Sequence, residues 1–387
     1  MTVKTMHRNT PRRVTILGGG NIGRAIALLL QDSGGYEVLV ADRDAAALQR
    51  LARDLPGIAT AHVPDEAALQ GVLTGRFAVL SALPFHMSVA VAALCARLSV
   101  HYFDLTEDVA STEAIRALAP DARSVLMPQC GLAPGFIGIV GHALAQQLDE
   151  PQELRLRVGA LPRFPQGALG YSLTWSTEGL INEYCQPCDA IVHGQAVQVP
   201  ALEGLEALMI DGVRYEAFNT SGGLGTLVAT WQGRLQRLDY KTIRYPGHCA
   251  SMRLLLNELR LRERRGLLKE LFEAAIPATE QDVIVIQACA SGLRAGRLEQ
   301  KEYCAHIMGA TVRGQHLSAI QYTTASGICT ALDLVADGKL PERGFVRQEQ
   351  VALPDFLANR FGRAYAVAQA AAPDNAEDTQ HAMAALA

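Results

Sequence analysis

Arg12-Arg13-Val14-Thr15-Ile16-Leu17-Gly18-Gly19-Gly20-Asn21-Ile22-Gly23-Arg24-Ala25-Ile26-Ala27 decides the fold. Its opening apolar run, with β-branched side chains, reads as a buried strand. Glycines interrupt the run, and Ile22, Ala25, Ile26 and Leu29 resume it at helical spacing. Gly18, Gly20 and Gly23 therefore stand in the G-x-G-x-x-G pattern between a strand and a helix, the context in which that pattern binds a dinucleotide. Gly18 allows the tight turn, Gly20 lets a pyrophosphate reach the backbone, and Gly23 lets the helix lie close to the strand. The first amides of the helix, with Asn21 and Ile22 at its start, and its positive dipole end would face the phosphates. A second strand over residues 36–41 ends on Asp42, about 20 residues past the last glycine, where a carboxylate accepts from the ribose hydroxyls. Such an acid repels a 2′-phosphate and predicts NAD, whereas Arg43 beside it could embrace that phosphate and keeps NADP open.

Working outward, helices and strands go on alternating. Further strands are expected over residues 58–63, 77–81, 99–104 and 124–127, with helices over 44–55, 65–73, 86–98 and 113–119. Right-handed crossovers and a parallel, doubly wound α/β (Rossmann) sheet follow from that alternation. In such sheets ligands collect beyond the carboxyl ends of the strands. That rule brings the glycine turn, Asp42, Ser81-Ala82-Leu83-Pro84, Asp104 and Gln129-Cys130-Gly131 to one crevice, with Ser81, Ala82, Leu83 and Pro84 under the nicotinamide ribose. From about residue 136 the grammar changes. Strand candidates at 153–160, 171–176, 190–199, 213–218, 234–245, 282–290 and 301–312 lack regular helix crossovers, which predicts a mixed or antiparallel sheet in an α+β domain. An apolar helix over 325–336 then returns to the first domain, making the second an insertion. The expected division is 1–135 with 323–365 for the dinucleotide, 136–322 for substrate, catalysis and oligomer contacts, and 366–387 as a disordered tail.

A chain of 387 residues, 49% hydrophobic and only 19% charged, is sized and composed for two packed domains rather than for disorder. A net charge of −4 without a basic block argues against nucleic acid or an anionic membrane as partner. No apolar run reaches transmembrane length, and residues 1–11 lack the apolar core of a secretory signal, so a cytoplasmic protein with reduced cysteines is expected. Cys185-x-x-Cys188 lacks the second pair that a structural zinc needs, and no metal is expected.

Candidate chemistry follows the strand ends and the second domain. Asp104 ends a strand at the crevice, where it could hold an amine or cap the following turn. Cys130 lies in a Gly/Pro-fixed turn and is expected to line the pocket. Lys241, Arg244 and His248 share a strand and the turn after it. An ideal strand cannot point both Lys241 and Arg244 inward, so either could clamp a substrate carboxylate, and a bulge would be needed to use both. His248 follows Pro246-Gly247 at a helix start, where the dipole would favour its neutral, base-competent form. Glu178 opens a helix and either complements its dipole or binds a distal ammonium. Asn219-Thr220-Ser221 before two glycines offers a polar loop, with Thr220, Ser221 and Gly223 as substrate contacts.

Ser176-Thr177-Glu178-Gly179-Leu180, the run from Phe218 to Gly223, Leu238-Asp239-Tyr240-Lys241-Thr242-Ile243-Arg244-Tyr245-Pro246-Gly247-His248, the Gly-x-x-Pro-Gly turn at Gly131 to Gly135 and Tyr322-Thr323-Thr324-Ala325 together resemble the saccharopine dehydrogenase family. Within it the likeness is to the lysine 6-dehydrogenases, and it runs from the glycine turn to about Val346. Ala61-His62-Val63-Pro64-Asp65 departs from the family's Asp-Val adenine contact, and the polar tail has no counterpart. The resemblance implies a Rossmann domain with an inserted α+β domain and oxidation of a C–N bond of lysine or a lysine adduct, or the reverse reduction. The expectation is NAD-dependent oxidative deamination of L-lysine at its ε-amine, giving a semialdehyde that cyclises to a piperideine-6-carboxylate. Asp104 and Glu178 would hold the amine, Arg244 the carboxylate, and His248 or Lys241 the proton. The alternatives are a saccharopine-type reductase, whose substrate with three carboxylates demands a wider, more cationic pocket, and a non-catalytic NAD(P)-binding regulator. The partners expected are a small amino-acid substrate and further copies of the chain, in a homodimer or higher homo-oligomer.

Overall fold

The computed structural model describes residues 11–367, so that nearly all of the tail expected to be disordered lies outside the described residues. Six strands form the first sheet: β1 (Arg12–Leu17), β2 (Tyr36–Asp42), β3 (Ala59–His62), β4 (Ala78–Ser81), β5 (His101–Asp104) and β6 (Val125–Met127). They lie in the order β6-β5-β4-β1-β2-β3, and a short strand from far along the chain, Gly344–Phe345, adds itself beside β6. Every pairing is parallel. Strand alternation splits the apolar side chains between two faces. Ile16, Leu80 and Phe103 pack with the helices Asn21–Ser33 and Ala319–Ala336, while Leu17, Val79 and Tyr102 pack with Ser88–Leu98. This is the parallel, doubly wound sheet expected from the alternation.

Gly23 makes the first crossover possible. A Cβ there would sit 1.8 Å from the carbonyl oxygen of Gly18, so the helix could not approach the turn. Gly18 itself has φ +101°, a left-handed value that favours glycine. Gly20 differs from both, because a Cβ on it would meet nothing within 4 Å.

The second sheet contains β7 (Glu150–Pro162), β8 (Cys188–Val192), β9 (Gln195–Val199), β10 (Glu206–Ile210), β11 (Val213–Asn219), β12 (Arg237–Arg244), β13 (Asp282–Arg294) and β14 (Arg297–Met308). Its order is β10-β11-β12-β7-β13-β14, with the β8–β9 hairpin joined to β12. Only β12 and β7 run parallel, so the sheet is mixed. Two expected strands resolve differently. Residues 171–176 form a loop with one isolated bridge, Leu173 to Ala278, and carry Trp175 to the cleft. Residues 190–199 turn back at His193 and Gly194, both at positive φ, to give a hairpin. The return helix begins at Ala319, ahead of the expected start, because Ser318 and Gln321 form a capping box. Asp282 at the start of β13 accepts from the amides of Ala319 at 2.6 Å and Ile320 at 3.0 Å, tying the second sheet to that helix. Among the described residues no helix is long and apolar enough to cross a membrane.

Gly23→Ala is therefore expected to lower stability by about 2 kcal/mol or more, since backbone must move. Gly20→Ala should leave the thermal transition in place and weaken dinucleotide binding tenfold or more. Paired thermal melts and fluorescence titrations with NADH would separate the two, and equal melting of both variants would contradict the packing argument.

Candidate functional site

The carboxyl ends of the first sheet face β12 and β7 across a cleft of about 280 Å³. One wall carries Ile22, Ala82 to Phe85, Leu105 to Glu107 and Gly131 to Pro134. The other carries Trp175, Ser176, Glu178, Gly179, Glu183, Tyr240, Thr242 and Arg244. Of the cofactor-side expectations, Ile22, Ala82, Leu83 and Pro84 thus reach the cleft. Ser81 does not: it is 1% exposed, and its hydroxyl lies buried without a hydrogen-bond partner among the described residues.

The glycine turn fits a dinucleotide. The helix Asn21–Ser33 has no side-chain cap and no acid in its first turn, leaving its N-terminal amides and dipole for an anion. Open space at Gly20 provides the approach. Asp42 stands at the mouth of the turn, where its Oδ2 accepts from Gly19 N at 2.6 Å and its Oδ1 from Asp44 N at 2.8 Å. Each oxygen keeps a lone pair for a ribose hydroxyl. Arg43 is exposed, and His62 hydrogen-bonds to its carbonyl oxygen.

Regular alternation along β12 turns Tyr240, Thr242 and Arg244 to the cleft and Lys241 to the opposite face. No bulge brings the two cations together: Lys241 donates to Gly204 O and Glu206 Oε2 behind the sheet. Arg244 is 3% exposed. Its Nε donates to Tyr184 Oη at 3.0 Å, and its Nη1 to Thr242 Oγ1 at 3.1 Å and Ile243 O at 2.9 Å. Its guanidinium carbon lies 4.8 Å from the centre of the Tyr171 ring, a cation–π contact. The acid opposite Arg244 in the ladder, Glu216, is engaged elsewhere, accepting from the amides of Gly247 and Cys249. Among the described residues no carboxylate lies within 4.0 Å of Arg244, and its Nη2 has no hydrogen-bond partner.

His248 stands behind this cation rather than in the cleft. Its Nδ1 lies 2.9 Å from Leu169 O and its Nε2 lies 3.0 Å from Tyr184 Oη. Arg244 Nε already donates to Tyr184, so the phenol gives its own proton to His248 Nε2 and Nδ1 carries the imidazole proton. Burial, then the Arg244 charge, lowers its pKa to about 3. His248 is neutral as expected, although burial rather than the helix start is the chief cause. Buried behind Tyr184, it orients that phenol.

The cleft holds three carboxylates. Glu178 is at the rim, paired with Lys269 Nζ at 2.7 Å, and that hydrogen bond lowers its pKa. Burial raises Glu107 to about 7, with Asp108 and Asp104 adding to the rise. Burial raises Glu183 to about 8 against the opposing pull of Arg244, with Glu107 contributing. Neither Glu107 nor Glu183 was singled out from the sequence. Glu183 is embedded among the apolar residues Leu180, Ile181 and Tyr184 of the helix Thr177–Cys185, an unusual setting for an acid. Glu107 lies just beyond a strand end, in the region where ligands collect, but Asp104 drew the reading.

Asp104 is 1% exposed and lies beneath the cleft floor. It accepts from Thr106 N at 3.0 Å, Gln129 N at 2.9 Å and Tyr102 Oη at 2.8 Å, stitching the end of β5 to the segment after β6. Cys130 also falls short of the cleft, which begins at Gly131; its buried thiol lies against Met127 O. Thr220 and Gly223 line a separate small void, and Ser221 N donates to Glu183 O at 3.0 Å. This loop backs the cleft instead of touching it. A Cβ on Gly222 would meet Glu107 O at 2.5 Å, and one on Gly223 would strike the Tyr240 ring at 2.4 Å.

Residues 14–126 match the saccharopine dehydrogenase NADP binding domain, and residues 131–363 match the saccharopine dehydrogenase C-terminal domain. The chain belongs to the saccharopine dehydrogenase family. Its first domain is an NAD(P)-binding domain. Alpha-aminoadipic semialdehyde synthase, mitochondrial, of Mus musculus is 22% identical over 209 residues, 51% of this chain and 22% of that protein. The Rattus norvegicus protein of the same name matches to the same extent, so the match spans about a fifth of the length of these curated relatives. Apo saccharopine dehydrogenase (L-Glu forming) from Saccharomyces cerevisiae shares the fold of this family member, with a TM-score of 0.72 at 16% identity over 89% of this chain and 96% of that one.

Glu183 also gives a stability test. Its folded pKa of about 8 lies above the ordinary glutamate value of 4.5, so its contribution is fully present below 4.5 and is lost as pH rises through 8. Glu183→Gln should therefore gain on the wild type between pH 5 and pH 9 in chemical denaturation, by a few kcal/mol. A difference that does not change with pH would contradict the buried, protonated acid.

Proposed function

We propose that this protein is an NAD-dependent dehydrogenase that oxidises the ε-C–N bond of L-lysine. The donor set of the cleft carries this reading: among the described residues one guanidinium, Arg244, shares the cleft with two buried acids, Glu107 and Glu183, that no cation pairs and that an incoming ammonium would ionise. One buried cation suits one substrate carboxylate, and surplus acids suit an amine. An adduct of saccharopine type, with three carboxylates, would bring more negative charge than Arg244 alone could balance.

The glycine turn, the start of the helix Asn21–Ser33 and Asp42 would hold the cofactor, with Ile22 and Ala82 to Pro84 beneath its nicotinamide end. When bound, the nicotinamide accepts the hydride that leaves Cε. The protein's part is positional and protonic. Arg244 fixes the α-carboxylate, and a cleft carboxylate removes a proton from the ε-ammonium so that the nitrogen lone pair can assist departure of the hydride. Loss of hydride leaves an iminium, which water hydrolyses to the semialdehyde and ammonium. The aldehyde then condenses with its own α-amine, losing water, to form the six-membered piperideine carboxylate. Glu107 and Glu183, titrating near 7 and 8, are the cleft acids suited to take a proton near neutral pH.

Following NADH absorbance with L-lysine and then with saccharopine tests the reading. L-Lysine should be oxidised and saccharopine should not, with kcat/KM rising through pH 7 to 8 as a cleft acid loses its proton. Arg244→Met should lower kcat/KM by about 30-fold or more, the cost of losing a buried charge contact. Asp42→Ala should erode the preference for NAD over NADP. Oxidation of saccharopine without oxidation of lysine would overturn the assignment.

A further inference from the structure

Glu183 and Arg244 present an arrangement that a purely structural ion pair would not. Both line the cleft, with Glu183 8% and Arg244 3% exposed. Opposite charges buried together ordinarily close into a hydrogen-bonded pair, because desolvating each alone is costly. Here the two are farther than 4.0 Å apart, and Glu183 has no side-chain hydrogen-bond partner among the described residues. The fold holds both in place. Tyr184, next along from Glu183, accepts from Arg244 Nε, and Ser221 N holds the Glu183 carbonyl at 3.0 Å. A guanidinium and a carboxyl group that an incoming ammonium would ionise, its proton leaving to solvent, thus both line the cleft.

An α-amino acid carries a carboxylate and an ammonium on one carbon, the complement of that arrangement. Glu107 belongs to the opposite wall, from the segment after β5 that follows the cofactor-side residues Ala82 to Phe85. Its side chain reaches across to Gly179, where a Cβ would come within 3.2 Å of Oε1, one helical turn before Glu183. We infer that Arg244 and Glu183 form the seat for the α-carboxylate and α-ammonium of the substrate, and that Glu107 meets its distal amine and takes the proton from it. This deepens the lysine reading, on which it rests. In the proton step an N–H bond of the ε-ammonium breaks, an O–H bond forms on Glu107, and no electrons are transferred. Glu183 is then a specificity residue for α-amino acids, and Glu107 is the catalytic base.

Equilibrium binding to the NAD-loaded protein separates the two roles with two probes. L-Norleucine keeps the head group of lysine and lacks the distal amine; 6-aminohexanoate keeps the carboxylate and distal amine and lacks the α-amine. Glu183→Gln should weaken L-norleucine at least tenfold and leave 6-aminohexanoate within about twofold. Glu107→Gln should do the reverse. NADH titration of each variant checks folding, and Glu183→Asp should recover part of the lost L-norleucine affinity. The inverse pattern, equal losses for both probes, or a wild type that binds neither probe would each overturn the seat. Lysine turnover that survives while the expected pattern is missing removes this inference and leaves the proposed function standing. Glu183-dependent L-norleucine binding without any NADH from lysine keeps the head-group seat and removes ε-oxidation.

Discussion

A buried guanidinium with no carboxylate partner among the described residues dominates the cleft. Taking Arg244 out of water is costly unless its charge is met. The structure meets it only in part, with the Tyr184 phenol, the Thr242 hydroxyl, the Ile243 carbonyl and the face of Tyr171. Much of the surrounding architecture serves to hold that cation without neutralising it. His248 directs the Tyr184 proton away from Arg244, so that the phenol oxygen can accept from Nε. Glu216, the acid opposite Arg244 in the ladder, accepts instead from the amides of Gly247 and Cys249. Under the proposed function, the negative charge still missing is the one that a substrate carboxylate would supply.

The two domains line the cleft from opposite sides. Gly23 seats the first helix on the turn, which places uncapped amides and Asp42 at one end of the crevice. Asp104, beneath the floor, ties the end of β5 to the segment after β6 and so fixes the wall that carries Glu107. The second sheet brings Arg244 and the helix Thr177–Cys185 brings Glu183, while Asp282 locks that sheet to the returning helix. The glycine-turn end and the Arg244 end of the cleft are thereby held by separate hydrogen-bond systems.

The first domain was largely legible in the sequence because its signals are local. Strand, glycine spacing, helix and acid follow one another within a short stretch, and each has a fixed physical task. The second domain was legible as a mixed sheet with one inward cation, but not as a site. Alternation allowed only one of Lys241 and Arg244 to face inward, yet which one depends on register, and register is set by β7 and β11, distant in the chain. Asp104, Cys130 and His248 were sensible candidates by residue type. Each was spent on buried hydrogen bonds that no local pattern reveals. Glu183 escaped notice because an acid on an apolar helix resembles a sequence irregularity until Arg244 is placed near it.

A crystal structure of the protein with NAD and L-norleucine tests this picture most directly. The carboxylate of the ligand should accept from Arg244 Nη2 while Tyr184 and Thr242 keep their present bonds to the guanidinium. A carboxylate bound elsewhere, with Arg244 Nη2 turned to a protein acid, would contradict it.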